Sequence, residues 1–416
     1  MDFIPRGISD IRHVEKKSII NFMLYILLLL PDDFYKICTV YSSKTPNYIL
    51  YRWLNYSFNV IHLVILICGI VIALFCYDRI LFGIWGLMAL REVIFLLLDN
   101  NSCITNSAYE IYLTLFTGIA FLKIVENNCR DTSELETFFW KSIFLNVLTV
   151  FAAPILGVGI FSGTYSRFNA VNMDVGSTGT ICAMLVIFCC FSKTVINQIL
   201  IVGIAIIALF LSGSRVNLLL LILVLFIGVS ICALRDHRIS KKWFYFAVGC
   251  IVLGIIVVTI ILIGNHNVAT NVNNGLGRML DTFSLNKMES DDSVMGRTTS
   301  IIAGIDIIKN NIFGISGFFI NLQNETIQRG FPTFPHSSLI DYYIFLGPII
   351  IVFLIRIAIC LKRLYLSNQI AQFLVLTYFI LFVTLSGGPI INFKIIFFYA
   401  SLFKISFLKE DMGNQS

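Results

Sequence analysis

Apolar residues run in long stretches along this chain, and polar residues gather between them. A helix that crosses a hydrocarbon core of about 30 Å needs about 20 apolar residues. About twelve stretches come near that length. Their cores are 18–31, 58–76, 80–98, 109–125, 141–161, 177–192, 197–212, 216–234, 243–264, 338–360, 369–386 and 389–408. The first and sixth are short, as tilted or re-entrant segments are. The pattern predicts an all-α fold, a polytopic transmembrane helix bundle of about 12 spans. One polar block interrupts it, over about residues 265–337. Loops of that length usually carry function or are disordered. Within it Ile301, Ile302, Ile305 and Ile308 sit at helical spacing. They predict an amphipathic helix that lies on the outer membrane face and opens near Arg297. The chain thus divides into an N-terminal bundle of about nine spans (1–264), the large loop (265–337) and C-terminal spans with a short tail (338–416).

Composition narrows the class. Of 416 residues, 57% are hydrophobic and 13% charged, against about 25% charged in an ordinary soluble domain. Mean hydropathy is +0.86. So little polar surface excludes a soluble globular enzyme, a disordered chain and a disulfide scaffold. Most of the 11 cysteines lie inside apolar runs, with no CxxC or Cys/His ligand spacing, and read as small buried hydrophobes. No phosphate-binding loop of the G-x-x-x-x-G-K-[ST] kind appears, which argues against an ATP-driven transporter. The charged segment Met1–Lys17 leads into an apolar run without a small-residue cleavage site, so that run is expected to be a retained first span.

The net charge of +6 comes from 30 basic and 24 acidic residues, too sparse a footprint for a nucleic-acid partner. It reads instead as topology. Arg6, Arg12, Lys16 and Lys17 precede the first run, Arg235–Lys242 follows the eighth, and Lys362 and Arg363 follow the tenth. With twelve spans these segments share one side, expected to be cytoplasmic with both termini. The large loop then lies outside, and its five basic and six acidic residues show no inside bias.

Four residues that carry chemistry fall on that outer face under this topology: Arg167, Arg215, Arg297 and His336. A guanidinium gives two parallel hydrogen bonds to a phosphate and stays charged at physiological pH. The imidazole alone among them exchanges a proton near neutrality. Together they suit transfer away from a pyrophosphate leaving group. Taken singly, each has a plainer explanation: interfacial arginines snorkel to lipid headgroups, and loop histidines are solvated. Only the joint pattern favours a site.

That pattern resembles a family. Leu211-Ser212-Gly213-Ser214-Arg215 before a long span forms one block. The other runs from Gly296-Arg297 through Asn311–Gly317 to His336-Ser337-Ser338-Leu339 and Phe345-Leu346-Gly347-Pro348. Both are similar to the Wzy-type O-antigen polymerases and the related O-antigen ligases, over about residues 160–355. The resemblance implies a glycosyltransferase of the bacterial inner (cytoplasmic) membrane, multi-pass, with its active site facing the periplasm. It implies an undecaprenyl-pyrophosphate-linked glycan as donor and, for a polymerase, as acceptor too. No cofactor and no metal are implied. Membrane lipids and a chain-length regulator protein are the further partners. Arg215 and Arg297 match the family's pyrophosphate-binding arginines and His336 its loop histidine; these three are the catalytic candidates. Arg167 with Asn169 matches more loosely, and Ser214 and Arg278 complete the substrate-binding candidates. His-Ser stands here where many ligases carry His-Asn, which leans the reading toward polymerase. Two rivals come from other classes. A lipid-linked-oligosaccharide flippase would line a midplane cavity with charge. A metal-dependent polyprenyl-phosphate glycosyltransferase would use carboxylates such as Asp32-Asp33 just outside the first span.

Overall fold

The computed structural model describes residues 6–29, 64–65, 67–72, 90, 106–129, 131–156, 160–162, 166–168, 170, 173, 175–192, 198–236, 292–314, 337–385 and 393–413. Helices dominate: α1 (Arg6–Leu29), α2 (Asn106–Asn128), α3 (Thr132–Leu156), α4 (Val175–Phe191), α5 (Gln198–Ser212) and α6 (Arg215–Asp236). After the undescribed 237–291 come α7 (Asp292–Asn310), α8 (Ser338–Leu346), α9 (Ile349–Leu366), α10 (Ile370–Leu385) and α11 (Phe393–Gly413). Among the described residues the all-α class holds, with one short exception. The end of the fifth apolar stretch turns into β1 (Ile160–Ser162), which pairs antiparallel with β2 (Ser166–Phe168).

Most apolar stretches reappear as helices, with α1 and α3 opening well before theirs, at Arg6 and Thr132. The tenth stretch, 338–360, does not: it is two helices, α8 and α9, broken at Gly347-Pro348. Proline cannot donate to the preceding turn and disfavours helical backbone in the residue before it. Gly347 adopts φ +60, and a β-carbon there would lie 2.5 Å from the Phe313 carbonyl oxygen. Only glycine lets the chain reverse with Phe313 so close. Stretches 80–98 and 243–264 lie outside the described residues apart from Leu90. Among the described residues, one helix is both long and apolar enough to cross a membrane, Arg215–Cys232 within α6. Shorter apolar helices cover Ser18–Leu29, Gly176–Phe191, Ile199–Ser212 and Ile370–Leu385.

The core is built around α4, whose residues from Thr178 to Cys190 are all buried. A helix apolar on every side needs neighbours on every side, and α3, α5, α6 and α10 supply them. A second packing centre is aromatic. Phe397 meets Phe121 edge-on at 5.0 Å, and Phe398 meets Phe139 at 6.1 Å, so α11 is seated on α2 and α3. Such ring pairs add about 0.5–1.5 kcal/mol each beyond their buried area. Lys404 of α11 reaches Glu126 of α2 at 3.0 Å.

The amphipathic helix exists, and Ile302 and Ile305 lie on its outward side. α7 opens at Asp292, five residues before Arg297. Its buried side is Ser300, Ala303, Gly304 and Ile307. Ile302 and Ile305 are 59% and 43% exposed, with Ile312 and Phe313 exposed beyond them. α7 packs against α8, and small residues suit close helix packing.

Candidate functional site: the turn between α5 and α6

Gly213 ends α5 with φ +62, and its N–H donates to Phe210 O at 3.1 Å. The left-handed backbone reverses the chain within two residues. Ser214 then opens α6, its carbonyl accepting the first helical bond from Leu218 N at 3.2 Å. This places Arg215 at the first helical position, where it is half-buried.

The turn is clamped by one buried amide. Asn217 Nδ2 donates to Gly176 O at 2.9 Å and to Ser214 Oγ at 2.7 Å. Its Oδ1 accepts from the Tyr378 hydroxyl of α10. The Thr180 hydroxyl bonds Gly176 O at 2.9 Å and lies 3.3 Å from the same Oδ1. Both donors of Asn217 are thus spent, and three helices meet on one side chain. Gly179 makes the approach possible: a β-carbon there would lie 2.4 Å from Asn217 Nδ2 and 2.8 Å from Ser214 Cβ.

The neighbours fix directions. A β-carbon on Gly228 would lie 2.4 Å from Phe191 Cζ and 2.6 Å from Leu374 Cδ1. Gly176 to Phe191 on α4 therefore runs alongside Asn217 to Gly228 on α6, in the same sense. Tyr378 to Leu374 shows that α10 runs the opposite way. Thr384, six residues past Tyr378, lies about 9 Å further along α10, toward the end of the bundle that holds the α5–α6 turn. There the Ser337 hydroxyl donates to Thr384 O at 3.0 Å and ties down the start of α8. The hairpin is at this end too: Ala170 N, just past β2, donates to Thr178 Oγ1 at 3.0 Å.

Of the residues singled out in the sequence, Ser214 and Arg215 form the turn. Arg167 lies in β2, paired with Phe161, where β2 packs on α3 and α5. Arg297 lies in the second turn of α7, so the Gly-Arg step is inside the helix and does not open it. Asn169, Arg278 and His336 lie outside the described residues, though His336 directly precedes the anchored Ser337. Among the described residues no group of His, Cys, Asp or Glu is arranged to hold a metal ion. Sequence reasoning missed Asn217, Thr180 and Tyr378. The signal was there, an asparagine three residues after Ser214 in an otherwise apolar span, but nothing in one sequence names its partners.

Residues 200–355 match the O-antigen ligase family. The matched stretch begins in α5, holds Ser214, Arg215, Arg278, Arg297 and His336, and ends in α9. It is consistent with the O-antigen polymerase and ligase-like proteins whose motifs the sequence resembles. The O-antigen ligase match leaves out Arg167, Asn169 and the whole of α10. No curated protein and no solved structure matches the chain.

Proposed function

We propose that this chain is an O-antigen polymerase, a membrane glycosyltransferase that moves a growing glycan from undecaprenyl pyrophosphate onto the next lipid-linked repeat unit. One observation carries the reading. The Ser214–Arg215 turn, inside the stretch that matches the O-antigen ligase family, stands at the same end of the bundle as the Ser337 that follows His336. In this reading the chain crosses a bacterial inner membrane about twelve times, with residues 265–337 in the periplasm and basic loops inside. The bundle of 1–264 and the spans of 338–416 flank that loop, and a chain-length regulator is a partner.

The chemistry follows from the side chains. Arg215 and Arg297 hold the donor's pyrophosphate by paired hydrogen bonds, with Arg167, Asn169, Ser214 and Arg278 as further substrate contacts. His336 takes the proton from the acceptor hydroxyl as that oxygen attacks the sugar carbon. The carbon–oxygen bond to pyrophosphate breaks on the opposite face, so configuration inverts and the pyrophosphate leaves with the electron pair. A positioned base is typically worth about 10²–10⁴ in rate, and one preorganised charge-stabilising donor about 10²–10³. This division of labour calls on no metal ion.

A ligase reading shares the matched stretch and differs only in acceptor, lipid A–core. The lipopolysaccharide ladder of a deletion strain separates the two. Loss of a polymerase leaves core carrying a single repeat unit, the outcome expected here. Bare core, with polymer accumulating on the carrier lipid, identifies a ligase.

A further inference from the structure

We propose that α10, which carries no residue of the chemistry, is the strut that sets the spacing between the Arg215 turn and the start of α8, with Tyr378 as a positioning residue. The inference rests on the reading above that Arg215 and His336 serve one reaction. The two residues are more than a hundred positions apart in the chain, so connectivity cannot fix their spacing. Two hydrogen bonds to one helix can. Tyr378 is fully buried and its hydroxyl donates to Asn217 Oδ1; Asn217 in turn grips Ser214 Oγ. Six residues further on, Thr384 O accepts from the buried Ser337 hydroxyl. That carbonyl is among the last four of α10, which lack a partner within the helix. Ser337 thus caps α10 and in doing so pins the residue after His336.

The helix between these points is stiff. Leu374, Val375, Leu376, Phe379 and Phe382 are buried, and no glycine or proline interrupts the run from Ile370 to Leu385. The Tyr378 bond has no obvious use if α10 were only core filler, because a phenylalanine would pack there and Asn217 Oδ1 would keep the Thr180 hydroxyl. A reacting geometry off by about 1 Å costs about 10² in rate, so a strut is worth having where two halves of a site come from distant segments.

The test is a double-mutant cycle on the full-length protein in proteoliposomes. The probe is an undecaprenyl-pyrophosphate-linked oligosaccharide, read as kcat and KM. Tyr378→Phe and Ser337→Ala are each expected to lower kcat about tenfold with KM changed less than about twofold. The double variant should be no slower than the worse single one, since spacing lost once cannot be lost again. Independent structural effects at separate sites would instead multiply in kcat. Ser337→Thr keeps a hydroxyl and should restore kcat, a rescue that guards against variants that merely fold poorly. Normal kcat in either single variant, a double at the product of the singles, or Ser337→Thr as slow as Ser337→Ala overturns the strut. Arg215→Ala run alongside separates the two claims. If it is inactive while the strut variants are normal, only the strut falls; if it is fully active, the reading of the site falls with it.

Discussion

In the proposed reaction, shape matters as much as charge at Arg215. A lysine there would keep the positive charge and lose the planar fork that meets a phosphate with two parallel hydrogen bonds. Arg215→Lys and Arg297→Lys are therefore each expected to lose most transfer activity, by about 10² or more, while the protein still reaches the membrane. Near-normal polymer ladders from both would reduce these arginines to lipid anchors. The neighbouring Asn217 works differently: it touches three helices and is fully enclosed. Its removal would take from the buried Tyr378 hydroxyl its acceptor, at about 1–3 kcal/mol for a buried group left unsatisfied, while the Gly176 carbonyl keeps the Thr180 hydroxyl.

At the scale of elements, the break between α8 and α9 is where composition misleads. Residues 338–360 are apolar enough for one span, yet Gly347 holds a backbone angle that only glycine takes easily, with Phe313 against it. Gly347→Ala would meet both the strained φ and a carbonyl oxygen 2.5 Å away. It is expected to destabilise by about 1–3 kcal/mol, measured as a lower Tm of the detergent-solubilised protein. An unchanged Tm would mean that the corner rearranges without cost. This element also shows what the sequence could and could not disclose. Hydropathy found α2, α4, α5, α6 and α10 because a long apolar run is a local signal. It merged α8 with α9 by length alone, although the Gly347-Pro348 step was legible; only the place of Phe313 against Gly347 was not, being distant in sequence. It marked α7 by its isoleucines, two of which face outward, and missed the packed side with Ser300, Ala303 and Gly304. The Ser214–Arg215 turn was legible for the same local reason, a Gly-Ser-Arg step between two apolar runs. Tyr378 was not, because a tyrosine inside an apolar helix looks the same whether its hydroxyl holds a site together or not.

For the whole molecule, the proposed topology puts Ser240 in a cytoplasmic loop and Asn286 outside. Single cysteines at these positions, in a background without native cysteine, should differ toward an impermeant thiol reagent. Labelling is expected at Asn286→Cys and not at Ser240→Cys in intact spheroplasts; the reverse would overturn the topology and, with it, the periplasmic site. The seating of α11 on α2 and α3 has a consequence for biogenesis. Phe397 and Phe398 fill the space beside Phe121, Phe138 and Phe139, yet the ribosome makes them more than 250 residues later. Throughout that interval the early helices must be shielded by lipid or by the insertion machinery, as exposed aromatic faces invite misassembly. A premature stop just before Phe393 would then be no milder than one near the middle of the gene. It would leave α2 and α3 without their partner, and quality-control proteases would find an open aromatic surface where the finished protein has a closed seam.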